Sequence, residues 1–159
     1  MKSICDTFKT AFDTLIARNW NHIYVLVDVH GVMMEPNYGS ISTDIYPDCV
    51  DPLQILSTDP KIKLIMWTCS NHNHVELYRT VFKALDIHFD YVNENPEVSH
   101  KDSSGDYTVK LYANVIMDDK AGFDPHVDWN LLHQYLRSPA YTNIVAPSAS
   151  TPIIHTLKQ

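Results

Sequence analysis

Ile23-Tyr24-Val25-Leu26-Val27-Asp28-Val29-His30-Gly31-Val32 is the stretch that decides the fold. An apolar run rich in β-branched residues ends in a carboxylate and meets a glycine three positions later, which reads as a buried strand feeding a loop. Upstream, Ile4, Phe8, Phe12, Leu15 and Ile16 recur at helical spacing, with Ser3 or Asp6 available as an N-cap. Residues 1–20 are therefore expected to open the chain as an amphipathic helix.

Downstream the same alternation repeats. Pro47 to Ser57 reads as a short helix, and Ile62-Lys63-Leu64-Ile65-Met66-Trp67 as a second strand that stops at Thr68-Cys69-Ser70-Asn71. Val75, Tyr78, Phe82 and Leu85 form a helical stripe, followed by a weaker third strand over Ile87 to Val92 and a polar loop from Asn93 to Asp106. Ala113 to Met117 is a fourth strand ending in Asp118-Asp119. A helix faced by Trp129, Leu132 and Leu136 comes next, and Thr142 to Ala146, after Pro139, is expected as a fifth strand. The tail from Pro147 to Gln159 carries no assignment. Strands alternating with helices imply right-handed crossovers and a parallel sheet covered on both faces. The fold class is thus α/β, a three-layer Rossmann-like domain around a parallel sheet of about five strands.

Composition narrows the function classes. With 159 residues the chain has the size of one domain, and 45% hydrophobic against 19% charged residues is an ordinary globular balance. A formal net charge of -7 repels phosphate backbones and disfavours sequence-independent nucleic-acid binding. Cys5, Cys49 and Cys69 are scattered without a CxxC pair, against both a disulfide framework and a structural zinc site. No apolar run approaches a membrane span or a leader, so a cytoplasmic protein is expected.

Ligands of open α/β sheets bind beyond the carboxyl ends of the strands. Three strands here end in polar groups: Asp28, then Thr68, then Asp118 and Asp119. Carboxylates crowded together raise one another's pKa unless a cation joins them, and magnesium favours oxygen ligands of this kind. Each aspartate taken singly also reads as a turn or N-cap residue; the three together point to a site.

These motifs resemble those of the haloacid dehalogenase-like hydrolases. Val25 to Val32 looks like the family's first motif, DxDx(T/V) after an apolar strand, and Leu64 to Thr68 like the second, a strand closed by Thr or Ser. Lys110 followed by Ala113 to Asp119 is similar to the third and fourth motifs, a lysine and then paired aspartates. The resemblance runs from about Tyr24 to Trp129, and Asp118 to Phe123 with Asp128-Trp129 looks like the small members that lack a large cap domain.

What the resemblance implies is a magnesium-dependent phosphomonoesterase. Asp28 would attack phosphorus and form an aspartyl-phosphate. Thr68, Cys69 and Lys110 would hold the phosphate, and Asp28, Asp118, Asp119 and the carbonyl of His30 the metal. His30 stands where the family's phosphatases place a second Asp as acid and base. An imidazole can carry those proton transfers; an idle one would forfeit about 10²–10⁴-fold in rate and leave a weak or inactive protein that binds a phosphorylated ligand or a protein partner. Expected ligands are a phosphorylated small molecule or nucleotide, or a polynucleotide end, and analogy with capless members adds a homo-oligomer. The loop from Met33 to Tyr46, with Tyr38 and Gly39, is the nearest segment for substrate contact. His72 and His74 read as a solvent-facing helix start, and Cys69 on its own as a buried apolar residue.

Overall fold

The computed structural model describes residues 2–37, 41, 43–101 and 104–145. Along them the chain forms α1 (Ile4–Arg18), β1 (Ile23–Asp28), α2 (Val50–Thr58), β2 (Ile62–Trp67) and α3 (His72–Ala84), then β3 (Tyr91–Val92), β4 (Val115–Met117), α4 (Asp128–Leu136) and α5 (Pro139–Val145). Tyr38, Gly39 and the tail from Pro147 lie outside the described residues. Ser3 caps α1 in a reciprocal box: its hydroxyl accepts the Asp6 N–H at 3.2 Å, while the Asp6 carboxylate accepts the Ser3 N–H at 3.3 Å.

The described strands form one parallel sheet in the order β3-β2-β1-β4. From β1 the chain steps outward to β2 and β3, then returns across the sheet to lay β4 on the other side of β1. The order reverses between β1 and β4, and a crevice opens beyond their carboxyl ends at such a reversal.

Alternate strand residues go to different environments. Ile23, Val25 and Val27 of β1, Ile62, Leu64 and Met66 of β2, and Val115 and Met117 of β4 share one apolar cluster with Phe8 and Phe12 of α1, Leu53 and Leu56 of α2, Tyr78 and Phe82 of α3, and Trp129 and Leu132 of α4. Full burial of each such side chain is worth about 1.5–3 kcal/mol, so this face carries most of the stability. The crossovers β1 to β2 and β2 to β3 run in the same direction, which for right-handed connections puts α2 and α3 on one side.

Among the described residues the other face is covered by the return segment between β3 and β4: Glu97 accepts the Tyr24 and Tyr91 hydroxyls at 2.8 and 2.6 Å, and Tyr112 packs edge-on against Tyr24. Ile116, on this face of the edge strand β4, is 55% exposed.

The expectation of a fifth strand is corrected. Thr142 to Val145 belong to α5, so the described sheet has four strands. Tyr141, Ile144 and Val145 repeat at i, i+3 and i+4, Pro139 suits the first helical turn, and Tyr141 is buried against Phe12 with its hydroxyl bonded to Asp59. The third strand shrinks to Tyr91–Val92 because Ile87 sinks into the helix-side cluster. The fourth begins only at Val115: the Asn114 side-chain oxygen takes the Tyr24 N–H at 2.8 Å, replacing a ladder bond. Among the described residues no helix is long and apolar enough to cross a membrane.

Candidate functional site

Asp28 is the last residue of β1 and follows Val27, whose register partner in β4 is Met117; Asp118 follows Met117 in the same way. The two strands thus deliver carboxylates side by side. A short 3₁₀ turn over Asp119–Ala121 adds the third, with Asp118 as its cap accepting the Lys120 N–H at 2.8 Å. One oxygen from each of Asp28, Asp118 and Asp119 lies within 4.8 Å of the others.

Gly31 makes room for this grouping. Its φ is +79°, and a Cβ added there would sit 2.9 Å from Cγ and Oδ2 of Asp119. A side chain would meet both backbone strain and the carboxylate. Trp129 fixes the same loop from below, donating its indole N–H to the Val32 carbonyl at 2.7 Å in a buried bond.

The charges do not cancel. Burial pushes Asp28 from 3.8 up to about 6; the Val29 N–H, donating to Oδ1 at 2.8 Å, opposes this, Asp118 and Asp119 add to it, and Lys120 offsets part. Lys120 sits 2.8 Å from Asp119 and is exposed. Three carboxylates beside one paired lysine leave net negative charge in a half-buried crevice, and the donor set is all oxygen. That set suits magnesium, which takes carboxylates and keeps several waters; soft metals favour other ligands.

His30 follows the strand end. Gly31 N–H donates to Met34 O at 2.8 Å and Met34 N–H to Val29 O at 2.8 Å, a parallel bridge that ties the loop after β1 back on itself. Its Nε2 lies 3.1 Å from the Tyr78 hydroxyl, with the rings edge-on at 5.5 Å. Burial, then His74 and Lys120, lower its pKa, which favours the neutral imidazole.

Thr68 is 5% exposed. Its hydroxyl donates to Ser70 Oγ at 3.0 Å and accepts the Ser70 N–H at 3.1 Å. The Asn93 side chain clamps the Thr68 backbone on both sides, at 2.8 and 2.7 Å, from a left-handed φ of 56°. Cys69 is exposed, against the buried residue expected, because the tight Thr68–Ser70 turn points it outward. Lys110 is exposed on the segment leading to β4, and the lysine whose charge reaches Asp28 is Lys120.

Lys120, Gly31, Asn93 and Tyr78 are the neighbours that sequence reasoning passed over as site residues. A lysine directly after paired aspartates was the available signal for the first, and a glycine three residues after a strand-end aspartate for the second. Nothing local marks Asn93 or Tyr78. A cavity of about 470 Å³ lined by Trp20, Tyr24, Glu97 and Tyr112 lies toward the start of β1, away from these carboxylates.

No family model matches this chain, and no curated protein matches it. A solved structure does: a conserved protein coded by a locus from Bacteroides thetaiotaomicron, 23% identical, with a TM-score of 0.56 over 73% of this chain and 90% of that one. At that identity the likeness shows a shared α/β fold.

Proposed function

We propose that this protein is a magnesium-dependent phosphomonoesterase, a small capless relative of the haloacid dehalogenase-like hydrolases, with Asp28 as its nucleophile. The observation that carries the reading is the convergence of Asp28, Asp118 and Asp119 to within 4.8 Å at the point where the strand order reverses. Structural aspartates do not require three carboxylates at one strand-end crevice, whereas phosphoryl transfer does use such a group.

Asp28, Asp118, Asp119 and the His30 carbonyl would hold magnesium, which supplies positive charge for the phosphoryl oxygens. An Asp28 oxygen bonds to phosphorus as the ester P–O bond breaks and the leaving oxygen takes a proton from solvent. Water then attacks the aspartyl-phosphate, giving its proton to a base and releasing phosphate with Asp28 restored. A neutral His30 is in the right state to be that base. Lys120 is better placed than Lys110 to offset charge around Asp28, and the Thr68-Cys69-Ser70 turn supplies polar groups beside the phosphoryl position.

One observation favours a second reading. The His30 imidazole is engaged with Tyr78, and a ring held there would not serve substrate, leaving a protein that binds a phosphorylated ligand with little turnover. Hydrolysis of an aryl phosphate with and without magnesium separates the two. The phosphatase reading expects metal-dependent turnover that Asp28→Asn abolishes and His30→Ala lowers by about 10²–10⁴-fold. Turnover that survives Asp28→Asn removes the nucleophile; no turnover, with retained binding of inorganic phosphate, favours the second reading.

A further inference from the structure

The register of the sheet places a second feature beside Asp28. Trp67 is the β2 partner of Asp28, and partners in a parallel ladder project to the same face. Val25 with Leu64 and Val27 with Met66 go to the helix side; Asp28 and Trp67 therefore go to the face covered by the return segment. On that face, just beyond Trp67, is a cavity of about 340 Å³ with Asn93, Asn95, Pro96, Tyr107 and Val109 in its wall. Its volume lies within the range of small-molecule pockets, roughly 300–1,000 Å³.

Neighbouring strands lie about 4.8 Å apart, so the indole begins one strand from the nucleophile and the cavity extends one strand further. A phosphomonoester anchored at Asp28 would carry its leaving group across Trp67 into this space. The lining suits a planar ring with polar edges: one indole, one tyrosine, amide side chains and one carboxylate, Glu94, that can accept N–H groups. Asn95 adds an independent sign. It is 3% exposed and donates through Nδ2 to the Tyr112 carbonyl at 3.0 Å, but its Oδ1 has no hydrogen-bond partner among the described residues. A buried acceptor without a donor is unfavourable, and because this oxygen is closed off from the cavity, a ligand N–H beside Trp67 would reach it only as the Asn95 side chain turns toward the ligand.

We infer that this cavity is a leaving-group subsite for a nucleobase, making the substrates nucleoside monophosphates in preference to aliphatic phosphates. The inference rests on the phosphatase reading for the chemistry at Asp28, but binding of the base does not. Trp67 acts here as a stacking platform, which every base can use, and the Asn95 oxygen favours bases that present N–H donors.

Two measurements test it. The first compares kcat/KM for nucleoside monophosphates with that for glycerol phosphate, in wild type, Trp67→Phe and Trp67→Leu. Base stacking predicts a preference of roughly 5- to 150-fold in wild type, retained in large part by Trp67→Phe and falling toward one in Trp67→Leu. The second titrates wild type and Asp28→Asn with an unphosphorylated nucleoside and follows the indole N–H resonances, with Trp67→Phe identifying the Trp67 signal. Trp67 should shift in both proteins while Trp20 and Trp129 stay put. Turnover of glycerol phosphate equal to that of nucleotides, with an unmoved Trp67, overturns the subsite and leaves the nucleophile standing. A Trp67 shift in a protein that hydrolyses no phosphate supports the subsite and refutes the phosphatase reading.

Discussion

Replacing Asp28 with Asn removes a charge that the fold holds at a cost. Asp28 rises from 3.8 to about 6 on folding, chiefly through burial, with Asp118 and Asp119 adding repulsion. The sign follows from proton linkage. Between the two values the unfolded chain releases its proton while the folded protein keeps it, so the stability associated with this group is full below 3.8 and is lost as pH rises through about 6. At about 1.4 kcal/mol per unit the shift would amount to some 3 kcal/mol, but the side chain is only half-buried and solvent screening reduces this to about 1–2 kcal/mol. Asn is nearly isosteric and can still accept the Val29 N–H. Metal-free Asp28→Asn should therefore be more stable than wild type at pH 7.5 by about 1–2 kcal/mol, raising Tm by roughly 2–8 °C, although on the proposed mechanism it loses activity. At pH 4 the two proteins should unfold together. Urea and thermal unfolding in EDTA across pH 4–8 measure this directly. A variant equal to or less stable than wild type at pH 7.5 refutes the claim that uncompensated charge is stored at the crevice.

Other substitutions examine the supports around the site. Gly31→Ala combines strain at φ +79° with a Cβ 2.9 Å from the Asp119 carboxylate; it should lower stability by about 1–2 kcal/mol and weaken magnesium binding, as read by titration calorimetry. Trp129→Phe leaves the Val32 carbonyl without its buried donor and should cost about 1–3 kcal/mol in urea unfolding, with reduced turnover because the loop after β1 loosens. Tyr141→Phe removes the hydroxyl from Asp59, distant from the carboxylates, and should lower stability by about 1–3 kcal/mol while kcat stays near wild type.

The elements legible in the sequence were those whose pattern reflects local forces. Ser3 with Asp6 marked the start of α1, and Val25 to Val27 and Leu64 to Met66 marked the two inner strands, because apolar density there follows directly from burial. Asp28, Asp118 and Asp119 were readable because Asp28 ends β1 and the other two directly follow β4, and parallel strands send their ends to one edge. Thr142 to Val145 misled because β-branched residues suggest a strand, whereas the docking of Tyr141 on Phe12 and Asp59 selects a helix. The cover of the second face was hidden as well: only the path of the return segment shows that Glu97 and Tyr112 lie against Tyr24, while Ile116 on the same face stays 55% exposed. Contacts such as Asn93 on Thr68 or Tyr78 on His30 join residues 25 and 48 positions apart, so no local spacing announces them.

The most direct test of the nucleophile is to incubate the protein with magnesium and an aryl phosphate, quench in acid, and map the peptides by mass spectrometry. A phosphoryl group on the peptide carrying Asp28, absent without magnesium and absent in Asp28→Asn, is the predicted result. Magnesium-dependent hydrolysis in which that peptide is never labelled and beryllium fluoride forms no adduct at Asp28 would contradict the account.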